Sequence, residues 1–142
     1  MLSKLVKDFL EFRELIGGQS GWKGYVGKLP DTRFTPDCAL AVIDEQAQPE
    51  GDNSNYISDG VLALVGHVKI IIRGVDIKPT LEHFEKICRE LDTVANEEIV
   101  DSDGVLMTLQ SCSRTSGIQY NGLDPSQRRH LASITYSCPV NS

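Results

Sequence analysis

The chain contains 142 residues with a mass of 15.7 kDa, the size of one domain that can bury a sizeable core. Its formal net charge is −6, its pI is near 5.0, and 24% of its residues are charged. This acidic balance argues against tight sequence-independent binding of duplex DNA, which relies on Lys and Arg side chains that neutralise phosphates. We therefore expect one soluble globular domain over residues 1–142.

The sequence predicts neither a secretory segment nor a membrane segment. Charged residues interrupt the apolar pattern between Met1 and Ile16, whereas a signal peptide needs a continuous apolar core. No stretch approaches the roughly 18 apolar residues that cross a bilayer. The cysteines are far apart and form no C-x-x-C pair: Cys38, Cys88, Cys112 and Cys138. We expect free, buried thiols in a reducing cytoplasm, while their even number leaves disulfides as the alternative.

The first part of the chain predicts a helix and two strands. Apolar residues recur at three- and four-residue steps from Leu2 to Ile16, which is typical of an amphipathic helix, and Gly17-Gly18 is suited to end it. Gly24 to Lys28 predicts a short strand, which a turn at Pro30-Asp31 closes. Cys38 to Asp44 is apolar on both alternating faces, as in a strand covered on both sides.

The middle of the chain predicts a loop, a strand and a second helix. The acidic segment Glu45 to Asn55 is expected to be a mobile surface loop. Strand-like residues follow from Val61 to Gly74, with Gly66 as a bulge or bend. Asp76 can cap the next helix, and Pro79 is tolerated in its first turn. The buried stripe of this helix is predicted to be Leu81, Phe84, Ile87, Cys88 and Leu91.

The last part predicts a hairpin, a long connection and a final strand. Glu98 to Asp101 and Val105 to Cys112 flank Asp103-Gly104, a pair suited to a tight turn. Arg114 to His130 is interpreted as a long polar connection, and Leu131 to Cys138 as the final strand. The predicted fold is α+β, with two helices packed on a largely antiparallel sheet in the order α-β-β-β-α-β-β-β.

Catalytic motifs are missing from the sequence. Neither a phosphate-binding loop nor a G-x-S-x-G elbow is present. Asp101-Ser102-Asp103-Gly104 resembles the middle of a calcium loop, but the required first ligand and final glutamate fall on Ile99 and Gln110. Histidines and cysteines have no metal-ligand spacing. We predict a non-enzyme without a cofactor or a metal.

The arginines near the end of the chain allow three interpretations. Arg114, Arg128 and Arg129 lie in or beside the predicted polar connection. Their side chains belong to a solvated loop, contact another protein, or contact phosphate groups. The protein contact is the functional interpretation because Arg binds carboxylates in a bidentate manner and this chain is acidic.

A series of short motifs occurs in a fixed order over nearly the whole chain. After the opening helix come Gly27-Lys28-Leu29-Pro30-Asp31, Cys38-Ala39-Leu40-Ala41-Val42, Val68 to Arg73-Gly74 with its following helix, Tyr120-Asn121-Gly122-Leu123-Asp124, and Arg128-Arg129 before the closing strand. This order resembles the tail terminator family of long-tailed bacteriophages, whose members are often labelled minor capsid or neck proteins.

The resemblance implies a structural role in the virion tail or neck, after assembly in the host cytoplasm. Family members form a ring, usually of six subunits, that caps the tail tube, stops its polymerisation and joins it to the head connector. The implied partners are further copies of the chain, the major tail tube protein and the connector or stopper protein, with DNA passing through the lumen. On this basis Arg73, Tyr120, Asp124, Arg128 and Arg129 are expected at subunit, tube or neck interfaces. Pro30 and Asp31 are expected to shape a turn.

Three other functions remain open from the sequence. The first is a head-completion or stopper protein of the neck. The second is a non-viral binding module that uses an edge of its sheet, and the third is an enzyme. An assembly ring, a monomeric module and an enzyme differ in oligomeric state, in the partner they capture and in their dependence on a particular carboxylate or histidine.

Overall fold

Two amphipathic helices pack on one curled, mixed sheet of eight strands. A computed structural model describes residues 2–30, 38–45, 63–100, 104–124 and 128–141. The helices are α1, Leu2–Phe12, and α2, Ile77–Asp92. The strands are β1 Lys23–Val26, β2 Ala39–Glu45, β3 Ala63–Gly74, β4 Ala95–Val100, β5 Leu106–Ser111, β6 Ser113–Arg114, β7 Gln119–Asp124 and β8 Arg129–Asn141.

The sheet is organised around β8, which has partners along both of its edges. The strand order is β1-β2-β3-β8-β5-β4, and β6 and β7 also pair with β8. Only β1 and β2 are parallel, so the prediction of a largely antiparallel sheet with two helices is confirmed. Along one edge, β8 pairs with β3 in an unbroken register from Ala63↔Asn141 to Gly74↔His130. Along the other edge it pairs in turn with β5, β6 and β7.

The prediction of a long polar connection over Arg114 to His130 was wrong. This segment contains β7 and the end of β6, which adds two strands to the predicted order. Most of its described residues are exposed, and the register between β7 and β8 shifts between Tyr120 and Gly122. An exposed, bulged strand has no clean apolar alternation, so its sequence resembles that of a loop.

The first helix is shorter than predicted, ending at Phe12 instead of Ile16. Glu14 adopts a positive φ of 60°, and the amide of Leu15 donates to the Leu10 carbonyl at 3.0 Å. Leu15 and Ile16 nevertheless remain buried. Of the apolar residues in the predicted pattern, Leu5, Val6, Phe9 and Ile16 are buried, but Phe12 is 78% exposed and Ile16 lies in the turn that follows the helix.

The start of α1 is bound by a residue from the sheet. Asp44 on β2 accepts hydrogen bonds from the Ser3 amide at 2.8 Å and from the Ser3 hydroxyl at 2.7 Å. Ser3 is fully buried, so both of these donors need a protein acceptor. A carboxylate near a helix N-terminus is also favoured by the helix dipole. This contact joins α1 to β2.

The second helix packs against the end of β3 through an unusually close approach. A Cβ atom placed on Gly74 would overlap Oγ1 of Thr80, whose hydroxyl donates to the Asp76 carbonyl at 2.6 Å.

The start of α2 follows the prediction. Asp76 occupies the N-cap position, although its side chain makes no capping hydrogen bond, and Pro79 lies in the first turn. Most of the predicted stripe is buried as well, namely Phe84, Ile87, Cys88 and Leu91. Thr80 is buried beside this stripe, whereas Leu81 is only partly buried.

Both helices cover the face of the sheet that carries the alternating apolar residues of β3 and β8. The predicted alternation on β8 is confirmed, and its buried members are Ala132, Ile134, Tyr136, Cys138 and Val140. Gly66 is not a bulge, because the β3–β8 register is continuous through it. A Cβ there would lie 2.6 Å from Cδ2 of Leu2, so this glycine permits the start of α1 to approach the sheet.

The β4–β5 hairpin is confirmed, with Val100 opposite Leu106 and Gly104 at a φ of 82°. Asp103, Asp31, Val61 and all of the predicted acidic loop except Glu45 lie outside the described residues. Within the described ranges, neither helix is long and apolar enough to cross a membrane.

Candidate interaction surface

The hairpin formed by β7 and β8 contains four of the five predicted interface residues. Tyr120 and Asp124 lie on β7, Arg129 begins β8, and Arg128 immediately precedes it. Asp124 is directly opposite Arg129, and the Arg128 amide donates to the Asp124 carbonyl at 2.7 Å. Arg128 has a positive φ of 56°, as expected where the chain reverses direction. The structure thus brings these four residues together on one element.

The two faces of this hairpin differ in chemistry. Tyr120 is opposite Ala132 and Leu123 is opposite His130, so these residues share one face. Tyr120 and Leu123 are 46% and 50% exposed, which gives that face an apolar surface. The Asp124–Arg129 pair lies at the alternate register position and therefore on the opposite, charged face.

A side-chain contact joins the two strands on the apolar face. The hydroxyl of Tyr120 lies 2.6 Å from Nδ1 of His130, and the ring centroids are 5.9 Å apart. His130 and Leu123 were missed by the sequence analysis. A regular strand over Gln119–Asp124 would have placed Leu123 on the face opposite Tyr120, and only the register shift between Tyr120 and Gly122 brings the two to one face.

The fifth predicted residue, Arg73, lies inside the protein. Its side chain is 2% exposed, and Nη1 donates to the Pro30 carbonyl at 2.6 Å. Arg73 is also opposite Leu131 of β8, which pairs with Gly122 across the hairpin. The structure therefore separates Arg73 from the four candidates on the hairpin and joins it to Pro30, one of the two predicted turn residues.

Arg114 is bound within the chain by a bidentate ion pair. Its Nε lies 3.0 Å from Oδ1 of Asp92 and its Nη2 lies 2.6 Å from Oδ2. The hydroxyl of the buried Tyr136 approaches Oδ1 of Asp92 at 3.0 Å and the Cys88 carbonyl at 3.2 Å. Hydrogen bonding to Asp92 raises the pKa of Arg114, and burial raises the pKa of Tyr136. This network fixes β6 and β8 to the end of α2.

A second exposed apolar group lies at the β4–β5 hairpin, away from the predicted residues. Val100, Val105 and Leu106 are each at least half exposed. They belong to segments that the sequence analysis had assigned to a hairpin, but their exposure was not predicted. Residues 101–103, between these strands, lie outside the described part of the chain.

The chemistry of the described residues matches no metal centre, since they contain no group of three or more His, Cys, Asp or Glu side chains placed to hold one ion. His83 stacks on Trp22 with ring centroids 4.5 Å apart, and its Nε2 lies 2.8 Å from the Leu15 carbonyl. Burial lowers the pKa of His83. The neutral ring therefore donates its Nε2 hydrogen to that carbonyl and packs α2 against the loop after α1.

Comparison with models of known protein families finds none that matches the chain. A search of curated proteins likewise finds no significant relative.

Proposed function

We propose that the chain is a structural virion protein that resembles phage tail terminators. It forms a ring of six subunits that caps the tail tube, stops tube polymerisation and joins the tube to the head connector, while DNA passes through the lumen. The observation that carries this proposal is the β7–β8 hairpin, which brings together the exposed Tyr120 and Arg128 and the half-buried Asp124 and Arg129. This is the segment whose motifs carry the resemblance at the end of the chain.

The two faces of the hairpin are suited to a contact between unlike surfaces. Arg128 and Arg129 can bind carboxylates of an acidic neighbour, while Tyr120 and Leu123 add apolar area that leaves water on association. A surface that binds a different surface on the next copy produces a closed ring when the rotation between copies closes. The net charge of −6 also agrees with DNA passing the ring without being retained.

Size and microscopy test this proposal directly. Light scattering coupled to size-exclusion chromatography should give a mass about six times that of the 15.7 kDa subunit for the free protein. Negative-stain images should contain rings at one end of each tube. A protein that remains monomeric and never labels a tube end would contradict the proposal, and a monomer that captures a cellular protein would support a binding module.

A charge reversal tests the hairpin itself. Arg128→Glu should abolish ring formation or weaken tube binding by at least tenfold, because it puts a carboxylate where we propose a contact with an acidic neighbour. Arg89→Glu is the matched control, since Arg89 is exposed on α2 and pairs with Glu85, one helical turn away, at 3.0 Å. Both variants should keep the circular dichroism spectrum of the parent. If both variants assemble equally well, the hairpin does not form the proposed interface.

A further inference from the structure

We propose that Cys112 and Cys138 form a buried dithiol that converts to an intrachain disulfide under oxidising conditions, closing a covalent loop around the β7–β8 hairpin. The inference concerns the folded subunit and does not depend on the proposed function.

Strand geometry brings these two cysteines together. Ser113 is opposite Ser137 and Arg114 is opposite Tyr136, so the same register continued by one residue sets Cys112 against Cys138. Their sulfur atoms are 3.3 Å apart, so the two thiols are in direct contact. Cβ atoms directly across an antiparallel pair are about 4.5–5.5 Å apart, and a disulfide needs about 3.5–4.5 Å. A small adjustment of the two strands is therefore sufficient.

The location of the pair favours one bond over the other possible combinations. All four cysteines of the chain are free thiols in this structure. Cys88 lies on α2 and Cys38 precedes β2, so each belongs to a different element from the pair. Because Cys112, between β5 and β6, already touches Cys138 on β8, their effective concentration towards each other greatly exceeds that of an external thiol.

The reaction is balanced by a small-molecule disulfide as the oxidant. The Cys112 thiol loses its proton and attacks one sulfur of oxidised glutathione, which releases one glutathione and leaves a mixed disulfide. The sulfur of Cys138 then attacks that Cys112 sulfur, forms the intrachain bond and releases the second glutathione. The protein loses two protons and two electrons, and the glutathione disulfide becomes two thiols.

Burial controls the rate of this reaction. Cys138 is fully buried and Cys112 is 6% exposed, so the first attack requires a local opening beside the short strand β6. The contact with Cys138 and burial also raise the pKa of the Cys112 thiol, which limits the thiolate at neutral pH. Oxidation should therefore be slow, and faster at pH 8.5 than at pH 7.

The bond would enclose the candidate interaction surface. The two cysteines are 26 positions apart, and the chain between them contains β6, β7 and most of β8. Tyr120, Asp124, Arg128 and Arg129 all lie within this loop. A disulfide that closes a loop of this size typically raises the thermal midpoint of such a domain by about 5–10 °C.

The test starts from the full chain purified with reductant and then incubated with oxidised glutathione at pH 8.5. Intact-mass spectrometry should give a loss of two hydrogen atoms without a glutathione adduct, and titration in denaturant should give two thiols instead of four. Peptide mapping should identify a Cys112–Cys138 link, and reductant should reverse the rise in thermal midpoint.

Single substitutions identify the two cysteines that form the bond. Cys88→Ala should still lose two hydrogens on oxidation, whereas Cys112→Ala should not. If a variant fails to fold, peptide mapping of the parent protein identifies the linked cysteines. Persistence of four thiols, a stable glutathione adduct, or a link through Cys38 or Cys88 would each overturn the proposal.

Discussion

Several residues in this protein owe their identity to one close contact. Gly74 is required because Thr80 occupies the space where a side chain would start. Gly66 accommodates Leu2 in the same way. Arg73 is charged yet buried, and its hydrogen bond to the Pro30 carbonyl satisfies part of its guanidinium. At this scale, the sequence pattern indicates a strand or a helix but does not indicate which atom of a distant residue comes close.

Gly74→Ala should destabilise the protein by about 2–3 kcal/mol, because the new methyl group forces α2 away from the end of β3. Urea denaturation monitored by circular dichroism measures this change. Gly117→Ala is the matched control, since a Cβ there meets nothing within 4 Å, and it should be neutral or stabilise by less than about 1 kcal/mol. Equal effects of the two substitutions would contradict the contact with Thr80.

The elements of the fold are joined to one another by a few polar anchors. Asp44 connects β2 with the start of α1, and Asp92 connects the end of α2 with Arg114 and Tyr136.

The apolar periodicity predicted both helices and the three longest strands, β2, β3 and β8, because the pattern of buried residues is a local property of the sequence. It could not predict β6 and β7, whose residues are mostly exposed and whose identity as strands depends on pairing with β8. For the same reason, the contact of Tyr120 with His130 across the hairpin was not predicted.

Asp44→Ala should lower the free energy of unfolding by about 1–2 kcal/mol, because two buried donors of Ser3 lose their acceptor. Asp44→Asn keeps one acceptor oxygen and should have a smaller effect. The matched control is Asp76→Ala at the start of α2, where the side chain makes no capping hydrogen bond, so a loss below about 0.5 kcal/mol is expected. Urea midpoints of the three variants provide the comparison, and a larger loss for Asp76→Ala would contradict the assigned role of Asp44.

The whole molecule has a core that contains several weakly acidic groups in their neutral forms. Burial raises the pKa values of Tyr136 and Cys88, and contact with Cys138 together with burial raises that of Cys112. These groups lie on α2, on β8 and between β5 and β6, so their protonation is linked to the packing of the entire sheet on its helices. Unfolding returns each group to water, where it loses its proton at a lower pH.

Stability should therefore fall at alkaline pH under reducing conditions. The folded state retains protons that the unfolded state releases above the ordinary pKa values of 9.0 for the thiols and 10.0 for the tyrosine. The contribution is fully present below pH 9 and is lost as pH rises, by up to about 1.4 kcal/mol per pH unit for each group. Urea midpoints at pH 7.5, 9 and 10 measure the slope. Tyr136→Phe should reduce the slope near pH 10, and a flat profile in the parent protein would contradict the prediction.

The position of β8 in the sheet has a consequence for biosynthesis. This strand lies between β3 and the β5–β7 strands, yet it leaves the ribosome after every other helix and strand of the described residues. Ala63 of β3 pairs with Asn141 of β8, and the two are separated by more than half of the chain. The ladder between β3 and β8 therefore forms late, and the topology predicts slow folding. At roughly 5–20 residues per second, the apolar β3 waits on the order of seconds for β8, with one edge open to other nascent chains. Yield should therefore depend on expression temperature and chaperone supply more strongly than the stability of the finished fold would suggest.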